Sequence, residues 1–267
     1  MTHDFGLGQV AAHPHLNGGG WVADTAAVAS AAYIGPKAEV SGEAQVHGEA
    51  RVSGEARVSG EAEVSGKAEV SGEAQVSGEA RVSGEAQVSG EAQVSGKAEV
   101  YGKAEVSGKA EVSGEARVSG EAEVSGKAHV SGEALVYGEA RVYGKAHVSG
   151  EALVYGEARV SGEAQVYGEA RVSGKALVSG EARVSSAIPY STRSDGYAFV
   201  IVQTETGLRV IAGCRCFTLA EAREHWTRTR GGTPLGEESL EIVDHLERMA
   251  RIVYAAHPVV GTDKASA

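Results

Sequence analysis

From Val40 to Arg183 the chain repeats a six-residue unit without an insertion: Val, then Ser, Tyr or His, then Gly, then Glu or Lys, then Ala, then a variable residue. Stepping by six from Val40 to Val178 counts 24 units. Looser copies carry the register back through Ile34, Val28 and Val22, and a last Val184 precedes Ser185-Ser186, where the pattern stops. Six residues of α-helix turn through about 600°, so successive valines would point three ways and no apolar stripe would form. A glycine in each unit would cost such a helix about 1 kcal/mol. Collagen needs Gly at each third position and is excluded. Six is even, so extended backbone keeps its parity from unit to unit. Val, Gly and Ala then share one side, while Ser, Glu or Lys and the variable residue share the other, which is the inside–outside code of strands.

One long strand would leave its edges and an apolar face bare. Coiling removes both problems, with Ala-x-Val-Ser as a short strand and Gly-Glu or Gly-Lys as the corner, where Gly supplies a positive φ. Three units close a triangular coil with three Val and three Ala inside. Residues 22–189 make about nine coils and, at about 4.8 Å each, a rod on the order of 45 Å long. Composition fits a narrow prism better than a globular core: 42% of residues are hydrophobic and 37 are Gly, but only 5% are aromatic.

These units resemble the hexapeptide repeat of left-handed parallel β-helix proteins, in which an aliphatic residue is followed by Gly and then a small residue. The resemblance implies a left-handed, three-sided coil, against the usual right-handed crossover of parallel strands. It also implies an activity to test, because such proteins are best known as acyltransferases. In those enzymes a His near a loop that leaves the coil acts as general base, and the acyl donor lies between subunits of a trimer. Here no loop leaves the array, and His47, His129 and His147 occupy outward repeat positions with no adjacent Asp or Asn to orient them. An acyltransferase-like enzyme is therefore the alternative, and a homo-oligomer, a trimer included, stays open.

Residues 18 apart should stack. Leu135 then lies beside Leu153 and Tyr137 beside Tyr155 in neighbouring columns, with Tyr101 further along and His129 beside His147 on another face. This gathering of large side chains marks a candidate partner surface, Leu135, Tyr137, Leu153 and Tyr155, or else stacked columns that only stabilise neighbouring strands. One corner column reads Glu43, Glu61, Glu79, Lys97, Glu115, Glu133, Glu151, Glu169. A solvated charged face is the expectation there rather than a divalent-cation site. Regular solenoid faces can also match ice, but Ser here alternates with Arg, Gln and Glu.

A solenoid must hide its terminal coils. Residues 1–21 read as the cap at one end, where Gly18-Gly19-Gly20 precedes the large ring of Trp21. After Pro189 the composition changes, and residues 190–256 read as a small α+β (ββαα) domain. Its strands are expected at Gly196–Gln203 and Leu208–Ala212, with a turn over 204–207. A capping box at Thr218-Leu-Ala-Glu221 opens a helix to about Arg230. A second helix follows from Glu237 to about Ala256, with Leu240, Val243, Leu246 and Met249 or Ala250 inward. Residues 257–267 read as a disordered tail. The segment resembles a small uncharacterised module of phage and prophage proteins through Ser194-Asp195-Gly196-Tyr197, Ala212-Gly213-Cys214-Arg215, Glu221-Ala222, His225-Trp226 and Gly231-Gly232-Thr233-Pro234-Leu235-Gly236.

Other chemistry is thin. Cys214 and Cys216, with His225 or His245, fall short of a four-ligand zinc site, and a buried, inert pair is the simpler reading. Arg223, Arg228 and Arg230 form a short basic run near Trp226, which joins the candidate partner residues, but Glu221 and Glu224 dilute it. With 25 basic against 36 acidic residues and a net charge of −11, a general nucleic-acid grip is not expected. No cofactor, metal or membrane span is expected, and with no Sec-type start visible the expected place is the cytoplasm. The expected function is structural or binding: a rod that presents its C-terminal module to a protein partner, in a phage or prophage setting.

Overall fold

The structure is a computed structural model describing residues 1–6, 8–185, 189–204, 207–213 and 215–256. Strands β1 (Thr2–Asp4), β2 (Gln9–Pro14) and β3 (Trp21–Ala23) open the chain. The array follows as two-residue strands, β4 (Ala27–Val28) to β30 (Arg183–Val184), recurring at six-residue spacing. Each pairs in parallel with the strand three units away, as Val40 does with Val58 and Val94 with Val112. Three sheets result, two of them nine-stranded, and they wind the chain into a three-sided β-solenoid of about nine turns. The variable residue and Val form each strand. Three backbone bonds between turns recur along the array, as in Glu39 N–H to Ala56 O, Ser41 N–H to Val58 O and Glu43 N–H to Gly60 O.

Every repeat Val from Val40 to Val184 and every repeat Ala from Ala38 to Ala182 is buried, so their methyls fill the axis. The corner glycines do not join them. They are exposed or half-buried, with φ between 62° and 77° from Gly42 to Gly180, so the strand parity breaks at each corner. The tight turn, rather than an inward side, explains why the unit needs Gly. Turn stacking reinforces the requirement: a Cβ on Gly114 would lie 3.0 Å from both N and O of Gly132.

At the start of the rod, β1 and β2 pair antiparallel and β2 pairs antiparallel with β3, which extends one sheet past the first turn and buries Ala12. The Trp21 ring stacks on His3 at 4.5 Å, and His3 Nε2 reaches Glu39 at 2.8 Å. At the other end come β31 (Tyr190–Thr192), β32 (Ala198–Thr204), β33 (Gly207–Ala212) and β34 (Arg215–Thr218), then α1 (Leu219–Arg230) and α2 (Pro234–Ala256). Two short strands flank the hairpin read from the sequence, so the head has four strands rather than two: β31 pairs Ser191 with Phe199, and β34 pairs Cys216 with Ile211. Thr218 and Glu221 form the capping box of α1, while α2 begins three residues before Glu237, at Pro234. Of the two residues left open on α2, Ala250 is buried and Met249 is 38% exposed. Residues 257–267, Cys214 and part of the 204–207 turn lie outside the described residues.

The joint between rod and head is one sheet with two faces. β32 pairs with β30 through Gln203 and Arg183, so the rod's sheet continues into the head. Val200, Val202 and Ile211 pack into the axial core of the rod. Phe199, Ile201, Val210 and Ala212 pack on the other side against Ala222, Trp226, Val243 and Leu246 of the helices. The apolar run Phe199-Val-Ile-Val202 is continuous because both faces are covered.

Candidate functional site

The variable position before each Val and the residue after it both face outward, so the sequence writes two columns on each side of the rod. On one side the first column starts as a charge ladder: Arg81 lies 3.9 Å from Glu63 and 3.7 Å from Glu99, which also meets Arg117 at 3.3 Å. Beyond Arg117, charge gives way to Leu135 and then Leu153, which pair in register and are half-buried. In the neighbouring column the Tyr137 and Tyr155 rings stack at 5.1 Å with planes 2° apart. Desolvation, then Tyr155, pushes the Tyr137 hydroxyl up, while Arg171 opposes them. These four residues form one apolar patch on a side that elsewhere carries charged residues, serines and the exposed Tyr101.

Trp226, the fifth residue read as part of a partner surface, is not there. Its ring is 5% exposed and sits in the core of the head between Tyr197, Phe199 and His225. It lies on the buried stripe of α1 with Ala222, four residues before it, so helix packing claims it.

The basic run beside it is also divided. Arg223 is bound by Asp244 and Glu247, and Arg228 meets Glu224 at 3.8 Å. Arg230 instead lines a cleft of about 910 Å³ with Tyr197, Arg215, His225, Trp226 and the start of α2. The loop that floors this cleft is tightly tied. Arg193, 3% exposed, holds Asp195 with two bonds of 2.9 and 2.7 Å and reaches Ser239 Oγ at 2.9 Å. Its guanidinium lies over the Tyr197 and Trp226 rings, at 4.9 and 5.2 Å from their centres. Arg193 holds the Asp195 carboxyl down at about 2. Ser194 completes the tie by donating its N–H and hydroxyl to Glu238, each at 2.7 Å.

On the opposite wall Arg215 lies against His225, its Nη1 3.0 Å from Nε2. Burial, with Arg215 and then Arg228 nearby, holds this imidazole below its ordinary value. Cys216, expected in a buried pair, is exposed; desolvation pushes its thiol up, away from the thiolate that a nucleophile or metal ligand needs. Among the described residues no three His, Cys, Asp or Glu side chains gather around a metal position. His245 is exposed.

The histidines of the rod have partners that adjacency in the chain does not show. His129 stacks on His147 at 4.8 Å, and its Nδ1 lies 3.1 Å from Glu111 Oε2, one turn away. His47 meets Gln45 at 3.0 Å. The three-unit spacing was the signal that could have placed Glu111 beside His129.

Two segments of the array, residues 74–90 and 164–180, match the family model of the YdcK beta-solenoid repeat. The chain is a β-solenoid repeat protein, and this likeness is confined to the array. Comparison with curated proteins finds no match. No helix among the described residues is long and apolar enough to cross a membrane.

Proposed function

We propose that the chain is a structural or binding protein without enzymatic activity, a rigid rod that holds its C-terminal head at a set distance and bearing for a protein partner. The observation that carries this reading is β32, whose alternate residues belong to the rod core and to the head core. A strand shared between the two cores ties the head to the end of the rod, so the head inherits the orientation of the rod. The Leu135–Tyr155 patch supplies a second contact surface on the flank. The phage or prophage setting of the partner is part of this proposal and rests on the resemblance read from the head's sequence motifs alone.

The test is cross-linking in extract of the source organism with three proteins: the native chain, Tyr137→Ser with Tyr155→Ser, and a head variant, Arg230→Gln with Thr229→Ala. A partner held by the native chain and lost from either variant, with melting unchanged, is the expected result. A partner set identical for all three would overturn the reading.

A second reading, acyl transfer, is favoured by one observation, the Glu111 carboxylate that orients His129. It predicts saturable binding of an acyl-thioester and loss of turnover in His129→Gln. The flat, solvent-facing setting of that pair favours the rod.

A further inference from the structure

The cleft in the head combines four features that no part of the rod shares. First, its charge is unbalanced. Arg193 and Asp195 neutralise each other, whereas Arg215 and Arg230 have no carboxylate partner among the described residues. Arg215 spends Nη1 on His225 and keeps its other N–H groups, and Arg230 presents its fork, so the pair is suited to a planar or tetrahedral oxyanion. Second, the cleft meets the first turn of α2, a 23-residue helix whose positive end adds to the same field.

Third, the Trp226 indole N–H is buried and has no hydrogen-bond partner among the described residues. A buried donor left unpaired costs about 1–3 kcal/mol, so packing rather than a hydrogen bond holds this indole at the cleft. Arg193 stacks over the ring face but, being a donor, cannot satisfy it. Fourth, the wall beside these donors is apolar, with Trp226, Pro234 and Leu235 in line. The volume, about 910 Å³, suits a small organic molecule or the end of a peptide rather than a bare ion.

We propose that this cleft binds an oxyanion group, carboxylate or phosphate, carried on a small apolar body. Arg215 and Arg230 grip the oxygens, and the Trp226 and Leu235 side chains flank the body. Against a net charge of −11 for the whole chain, this cluster of arginines is a local reversal of sign. The site stands on the geometry of the head and does not depend on the rod reading.

The chain has only two tryptophans, Trp21 and Trp226, so full-length Trp21→Phe protein reports on the cleft alone. At constant ionic strength it is titrated with inorganic phosphate, with N-acetylphenylalanine and with the neutral amide of the latter. A saturable change in Trp226 emission is expected with the oxyanions and none with the amide. Stronger binding of N-acetylphenylalanine than of phosphate assigns the source as a carboxylate on an apolar body; the reverse order assigns a phosphate. Arg230→Gln, at an exposed helix end, should weaken binding at least tenfold with unchanged circular dichroism, and Arg215→Gln should do the same. Equal responses to acid and amide, a response reproduced by chloride, or undiminished binding in both Arg variants would overturn the proposal.

Discussion

The rod and the head solve the burial problem in opposite ways. In the rod each unit contributes one Val and one Ala to a narrow axis, and each surface neighbour is three units away in sequence. Packing there is a local rule applied many times. The head has no repeat; its core joins Phe199, Trp226 and Leu246 from separate elements, and its ion pairs, such as Arg223 with Glu247, span the helices. Stability in the rod is therefore spread along its length, while in the head it is concentrated in a few side chains. The contrast teaches where a single substitution has leverage.

The largest effect is expected at the joint. Val202→Asp places an unpaired carboxylate inside the axial core and should cost at least about 3 kcal/mol. Trp226 fluorescence and far-ultraviolet circular dichroism should both report it, because the rod end and the head share β32. Loss confined to one of the two signals would break the idea of a shared joint.

Within the rod, Gly114→Ala should cost about 2 kcal/mol, from positive φ together with the close approach of Gly132. Gly180→Ala keeps the same φ problem but meets nothing within 4 Å, so about 1 kcal/mol is expected. Thermal melts of the pair separate turn stacking from backbone strain.

Acid should distinguish the two regions. Asp195 is held at about 2, against an ordinary 3.8, chiefly by its bond to Arg193. A carboxyl held down in the folded state contributes stability above its ordinary value and loses it as pH falls through the folded one. Glu221 and Glu247 are lowered for the same kind of reason, by Thr218 at the helix cap and by Arg223 with Arg251. The head should loosen between about pH 4 and 2, before the β signal of the rod, and Asp195→Asn should flatten that dependence. The smallest effect belongs to the exposed ladder: Arg81→Gln should cost less than about 1 kcal/mol and lose even that in high salt.

The sequence made the rod legible because its rule is periodic. The Val and Ala positions, the circuit of three units and the Tyr137–Tyr155 stack follow from counting. Parity in a straight strand would turn the glycines inward; coiling puts them at the corners with positive φ, as Gly42 shows at 70°. In the head the capping box at Thr218 was readable, being local. The cleft was not, because Arg215 and Arg230 meet only through the packing of β34, α1 and α2. Trp226 follows the same rule: an aromatic beside three arginines reads as exposed until Tyr197 and Phe199 of the sheet pack against it.

The six-residue unit also sets how such a chain can change. Gain or loss of one unit leaves every interior contact type intact but swings the head through a third of a circuit, toward a different flank. Three units together restore the heading and alter only the reach. Slippage in a gene of near-identical segments thus offers two separate adjustments, aim and extension, without a single change to the core.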